Sequence, residues 1–280
     1  MEAISFPRSI LVETTLRCPA DCIICPNKKV VDRPRDMPWR LFRKVVDDCR
    51  GQGLEEFHPF INGEPLASPY LEAALAYLAV ALPETAVHIY TSGALLDERM
   101  AGVLLRSGVR AVHFSVDGAT RQTYEAHRRG LHFDEVLANI NTFLELVRYQ
   151  HAGVSTRVVM TLTPENAAEE AAFRRYWEGR VDVVEVLPSD GRGGEGRAPA
   201  FRDGRMMGCL HVPWRTYVLS DGRVVLCCKD WAGYTVLGNV AEASVAEIWN
   251  SPRYVQLRRE ISRGDFSHSE VCQRCQADAL

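Results

Sequence analysis

Apolar residues along this chain follow two alternating rhythms. Short runs rich in aliphatic and aromatic residues occupy 10–13, 54–61, 87–91, 111–116, 154–162 and 181–187. Between them, apolar positions recur every three or four residues. Leu41, Phe42, Val45, Val46 and Cys49 form one such stripe; Phe133, Val136, Leu137, Ile140, Phe143, Leu144 and Val147 form another. Strand-like runs alternating with helical stripes predict a parallel α/β sheet, because parallel neighbours need a long crossover. Periodicity leaves open whether that sheet is flat or curled into a barrel. His88 and Tyr90 alternate with Val87 and Ile89, so one pair faces inward, and the pattern does not say which.

The rhythm breaks at 190–199, where four glycines and a proline read as a linker. Beyond it, 216–219 and 223–227 read as strands joined at Ser220-Asp221-Gly222, a suitable hairpin turn. Ser244, with Glu247 three residues on, is a suitable helix N-cap. The expected division is a large domain over 1–200 and a small one over 201–280.

A length of 280 residues allows a large domain with an appendage. The net charge of -3 provides no electrostatic footprint for a nucleic acid. No apolar run reaches membrane-spanning length, and 1–9 lacks the apolar centre of a secretory signal. The expectation is a cytoplasmic protein with no nucleic-acid or membrane partner. In that reducing setting nine cysteines are expected to bind metal or do chemistry rather than form disulfides.

Cys18, Cys22 and Cys25 follow the first apolar run in the order C-x₃-C-x₂-C. A cubane of four irons and four sulfides takes one protein ligand per iron. Three thiolates leave one iron open to a small molecule, while half of a zinc site is the competing reading. A second set, Cys209, Cys227, Cys272 and Cys275, can ligate all four irons of another cluster or a structural zinc. A zinc-stabilised binding module without catalysis therefore stays open at this point. Cys49 lies on an apolar helical face and reads as core.

The N-terminal triplet resembles the signature of the radical S-adenosylmethionine (SAM) superfamily, in which SAM chelates the open iron. That resemblance implies an α/β fold, a partial (β/α)6 TIM-like barrel. The second cysteine set, the hairpin, and the segments Leu237-Gly238-Asn239-Val240 and Glu247-Ile248-Trp249-Asn250-Ser251 resemble its C-terminal SPASM/twitch appendage. The small number of cysteines implies the shorter twitch form with a single auxiliary cluster, hence two four-iron four-sulfur clusters in all. Cys228 is then surplus, either a buried neighbour of the cluster or a thiol facing the substrate.

The resemblance extends to SAM-binding positions. Asn62-Gly63-Glu64-Pro65 matches the motif that contacts the SAM amino group, with Glu64 orienting backbone. Thr91-Ser92-Gly93 and Ser115-Val116-Asp117-Gly118 end strands, where Ser115 or Asp117 would meet the ribose. Arg128 or Arg129 would pair with the SAM carboxylate, as a guanidinium fork favours. Ser92, Ser115 and Asp117 equally suit turns and caps. Ile24 departs from the pattern, since family members usually carry an aromatic residue before the third cysteine.

The chemistry so implied is hydrogen-atom abstraction by a 5′-deoxyadenosyl radical from a small polyhydroxylated molecule such as an aminocyclitol, amino sugar or glycoside. Resemblance to twitch-type aminocyclitol dehydrogenases implies oxidation of an alcohol to a ketone, with the auxiliary cluster as electron acceptor. Arg192, in Arg192-Gly193-Gly194, would bind the reacting hydroxyl; as a loop arginine it could equally face solvent. Two alternatives share the superfamily: an epimerase in which Cys228 donates the hydrogen atom, and a peptide-modifying enzyme. A reductant such as flavodoxin or ferredoxin is implied throughout. Glu13, His58, His88, Tyr90, His113, Arg157, Glu185, Lys229 and Asp230 are further candidates to line a cavity.

Overall fold

The computed structural model describes residues 5–30, 32–189, 201–202, 205–206, 209 and 211–277. Six strands run parallel side by side: β1 (Ser9–Val12), β2 (Glu56–His58), β3 (Ala86–Thr91), β4 (Ala111–Ser115), β5 (Ser155–Leu162) and β6 (Val183–Pro188). Helices α1 (Trp39–Asp48), α2 (Leu71–Ala81), α3 (Glu98–Arg106), α4 (Arg121–His127), α5 (Phe133–Tyr149) and α6 (Glu170–Trp177) supply the crossovers. All six expected strands are present. The second is shorter than its apolar run because Pro59 has no N–H to continue the ladder. The arrangement is the partial TIM-like barrel of the radical SAM fold.

The two faces of the sheet differ. Val87 and Ile89 are buried with Val112, Phe114, Val158 and Met160 in the main core, under the helices. The buried stripe Val136, Ile140, Phe143 and Leu144 of α5 closes this layer, and Phe143 meets Phe114 edge-on at 5.7 Å. Each such side chain contributes roughly 1.5–3 kcal/mol when removed from water. His88 and Tyr90, on the opposite face of β3, meet the His58 and His113 rings instead. That assigns the polar pair to the inner face.

The C-terminal strands continue this same sheet. β7 (Arg215–Val218) pairs in parallel with β1, in the register Ser9 to Arg215 through Val12 to Val218. β8 (Arg223–Val225) and β9 (Val236–Asn239) then add antiparallel, giving the order β9-β8-β7-β1-β2-β3-β4-β5-β6. Helices α7 (Val245–Trp249), α8 (Pro252–Ser262) and α9 (Glu270–Ala277) follow. Ser244 and Glu247 form a reciprocal capping box at the start of α7. None of the described helices is long and apolar enough to cross a membrane.

Candidate active site

The loop leaving β1 carries Cys18, Cys22 and Cys25, and all three line a cavity at the carboxyl ends of the strands. Parallel α/β folds place their sites at this end. The loop is held from two sides. Asp21 and Cys22 form a short antiparallel ladder with Arg128 and Arg129, and Arg128 Nη1 lies 3.8 Å from Cys22 Sγ as a donor. Asn27 Nδ2 donates to the Leu16 carbonyl at 3.0 Å. Burial, reinforced by the Glu64 charge, pushes the Cys18 thiol up to about 12. Burial also raises Cys22, with nearby Arg128 opposing that shift.

Asn62, Gly63 and Glu64 form one wall of the cavity, after β2. Gly63 has φ of +77°, and a Cβ there would sit 2.3 Å from the Thr15 carbonyl oxygen, so the cysteine loop and this motif touch backbone to backbone. Glu64 Oε2 accepts from the Ser92 amide at 2.8 Å and from Ser92 Oγ at 2.7 Å, fixing the end of β3. Asn62 Nδ2 donates to Glu13 Oε2 at 2.6 Å. Glu13 is itself fully buried in a two-pronged ion pair with Arg33, at 2.7 and 2.9 Å.

Ser115 and Arg128 also line the cavity, whereas Asp117 is not among its lining residues. The Asp117 carboxylate is spent inside the fold. Its Oδ1 accepts from the Thr161 amide at 2.8 Å, and its Oδ2 lies 2.7 Å from Arg128 Nη2. Ser115 is the strand-end group left facing the cavity. Ile24 occupies the wall, so an aliphatic surface stands where an aromatic one was the family expectation. Phe60 was not singled out in the sequence; it lines the cavity and stacks on Tyr90 at 5.5 Å with planes 17° apart. Its only sequence signal was its place two residues before the Asn62 motif.

Cys228 and Lys229, from the loop after β8, complete the wall. Cys228 is buried and packs with Leu11, Ile61, Tyr217, Leu219 and Val225. It is therefore both a core neighbour and a cavity thiol. Asp230 accepts from the Tyr234 and Thr235 amides at 2.7 and 2.9 Å and so organises the loop rather than the cavity. Arg192 lies outside the described residues.

The second cysteine set is also assembled in space. Cys227 is raised first by burial, then by the charges of Cys228, Cys272 and Cys209. Cys272, pushed up to about 12 by burial, also feels Cys209 and Cys275. These shifts come chiefly from burial, and iron binding would displace the protons. Among the described residues no three His, Cys, Asp or Glu side chains converge on a single-ion site. A cubane asks for something wider, because each cysteine holds its own iron. The donor chemistry fits iron–sulfur clusters at both sets. A buried Arg128 Nε without a hydrogen-bond partner fits a polar ligand beside the first.

Below Tyr90 the barrel holds a second cavity of about 520 Å³, which shares Tyr90 and Ser115 with the first. Of the residues expected to line a cavity, His58, His113, Arg157 and Glu185 line this one. His88 reaches it through its neighbours, with Nδ1 3.2 Å from His113 Nε2.

Comparisons with known proteins agree with this geometry. Residues 12–176 match the model of the radical SAM superfamily, and 209–276 match SPASM, an iron–sulfur cluster-binding domain. The S-adenosyl-L-methionine-dependent 2-deoxy-scyllo-inosamine dehydrogenase of Niallia circulans is 21% identical over 271 residues, covering 95% of this chain and 91% of that protein. The PqqA peptide cyclase of Gluconobacter oxydans is 26% identical over 312 residues, covering 96% and 83% respectively. The solved structure of BtrN in complex with AdoMet and 2-DOIA superposes with a TM-score of 0.66 at 17% identity, covering 96% of this chain and 92% of that one. The chain belongs to the radical SAM superfamily: it is an enzyme that uses SAM with a four-iron four-sulfur cluster and carries a SPASM iron–sulfur domain.

Proposed function

We propose that this enzyme oxidises an alcohol of a small polyhydroxylated molecule, an aminocyclitol, amino sugar or glycoside, to a ketone. When bound, SAM and its cluster supply a 5′-deoxyadenosyl radical that removes the carbinol hydrogen. The auxiliary cluster would supply the acceptor for the one further electron lost, together with the hydroxyl proton, as the ketone forms. In this reading Cys18, Cys22 and Cys25 hold the SAM cluster, and Cys209, Cys227, Cys272 and Cys275 hold the auxiliary one. Asn62, Gly63, Glu64, Ser92, Ser115 and Arg128 shape the SAM seat, with Asp117 holding Arg128 in place. Arg192 binds the reacting hydroxyl, and a flavodoxin- or ferredoxin-type protein supplies the first electron. Positioning, with exclusion of water and of competing hydrogen donors, is the protein's main task.

The observation that carries this reading is the shared wall. Cys228 and Lys229 face the same cavity as Cys18, Cys22 and Cys25, and Cys227 is the next residue along. An electron acceptor at Cys227 would thus border the SAM cavity, which shares Tyr90 and Ser115 with the chamber below it. The dehydrogenase of Niallia circulans, similar over nearly the whole chain, supports the same class. The test is anaerobic turnover with a panel of cyclitols and amino sugars. A ketone formed with one 5′-deoxyadenosine per turnover supports the reading; a substrate recovered with one carbon inverted rejects it.

The cavity-facing Cys228 thiol favours epimerisation as the second reading. Solvent deuterium incorporated at one carbon, and abolished by Cys228→Ala, would establish it.

A further inference from the structure

The lower cavity is lined by more polar chemistry than SAM or its cluster would use. It lies inside the barrel, between the amino-terminal ends of the strands and Tyr90. Its volume of about 520 Å³ is within the usual range for small-molecule sites.

Two kinds of surface meet there. One is aromatic. The Tyr90 and His113 rings stack at 4.1 Å with planes 10° apart, and Trp214 lines the same chamber. Stacked on each other, and with Phe60 also stacked on Tyr90 at 5.5 Å, these two rings have their faces taken and turn apolar edges to the C–H side of a sugar or cyclitol. The other surface hydrogen-bonds. His58 Nδ1 and Arg157 Nε are buried without hydrogen-bond partners, on residues that line the chamber. Burying a polar group unpaired carries a desolvation cost, which a ligand hydroxyl would relieve.

The charges select among polar ligands. Arg157 is paired with Glu185 at 2.8 Å, Arg215 with Glu56 at 3.7 Å, and Arg8 with Glu55 at 3.5 Å. Every described arginine lining the chamber therefore has a carboxylate against it. Burial lowers His88 to about 4 and His113 to about 3, so both rings are neutral at neutral pH. A phosphate group, which needs uncompensated guanidinium or ammonium donors, finds none among the described lining residues.

We infer that the chamber beneath Tyr90 seats an unphosphorylated polyhydroxylated ring, with His58, His113 and the Arg157–Glu185 pair as its hydrogen-bonding partners. This rests on the proposed function, and it narrows the substrate to a free or amino-substituted sugar or cyclitol rather than a sugar phosphate or nucleotide sugar.

The test is calorimetric titration of anaerobically reconstituted holoenzyme with SAM and no reductant. The probes are myo-inositol, glucosamine and glucosamine 6-phosphate. At least one unphosphorylated probe is expected to bind at least tenfold more tightly than the phosphate. His113→Leu and Glu185→Gln should each weaken that binding about tenfold, as for one lost hydrogen-bond partner, while SAM affinity and the circular dichroism spectrum stay those of the wild type. Tighter binding of the phosphate, no binding of either free ring, or unchanged affinity in both variants would overturn the inference. Formation of a ketone on reduction, measured separately, reports on the proposed function. Ring binding without that product upholds the chamber and sinks the oxidation; that product without ring binding does the reverse.

Discussion

Glu13 and Arg33 meet as a fully buried, two-pronged ion pair, and three segments are tied to it. Glu13 Oε2 accepts from Asn62, its Oε1 accepts from the Ser220 amide at 3.2 Å, and Arg33 Nη1 donates to the Trp231 carbonyl at 3.0 Å. The end of β1, the Asn62 motif and the hairpin turn are thus fastened at one carboxylate. Replacing Arg33 by Met leaves that carboxylate buried and uncompensated, which costs about 3–5 kcal/mol. Thermal unfolding of the reconstituted enzyme should show a clear fall in Tm. A melting curve unchanged from the wild type would mean the pair is dispensable.

Arg128 is bound at once to the Asp117 carboxylate and to Cys22, a ligand of the SAM cluster in the proposed function. Arg128→Met removes a positive charge and an N–H donor beside Cys22, both of which favour the reduced cluster. The reduction potential should move to more negative values in an EPR-monitored titration. Activity should fall by roughly 10–100-fold, the usual range for loss of an outer-sphere partner. Arg128→Lys should recover part of the potential because it keeps the charge.

Gly63 has neither the space nor the backbone angle for a side chain. Gly63→Ala should cost about 1–3 kcal/mol in backbone strain, with more from the contact against Thr15. Weaker SAM binding by equilibrium dialysis is the sharper readout, since the displaced loop carries Cys18.

Acid should destabilise the barrel through its inner histidines. Burial lowers His88 and His113 from 6.5 to about 4 and about 3, so the unfolded chain binds protons that the folded one refuses. Stability from these rings is complete above about 6.5 and is lost as pH falls from there towards the folded values. Denaturant midpoints measured between pH 7 and 4 should decline less steeply in His113→Asn than in the wild type. Parallel curves would show that the rings titrate normally.

Much of the barrel was legible because buried parallel strands leave unbroken apolar runs and their crossovers leave helical stripes. The Ser244–Glu247 cap was legible for a similar reason: its signal is entirely local. What stayed hidden depends on partners far apart in the chain. Nothing in the alternation of 87–90 tells inside from outside until β3 has neighbours on both sides. Asp117 has the look of a ligand-binding strand end, yet its fate is set by Thr161 and Arg128 arriving from elsewhere. The pairing of β7 with β1 joins residues 9–12 to 215–218, and no periodicity encodes a partner at that separation.

That pairing has a mechanical result. The strands leading to Cys18 and to Cys227 stand on either side of β7 in one hydrogen-bonded ladder. Sliding one sulfur-bearing loop past the other would mean shearing backbone bonds rather than rotating a hinge. If both loops carry clusters as proposed, the length of an electron's journey between them is set by the weave of the main chain.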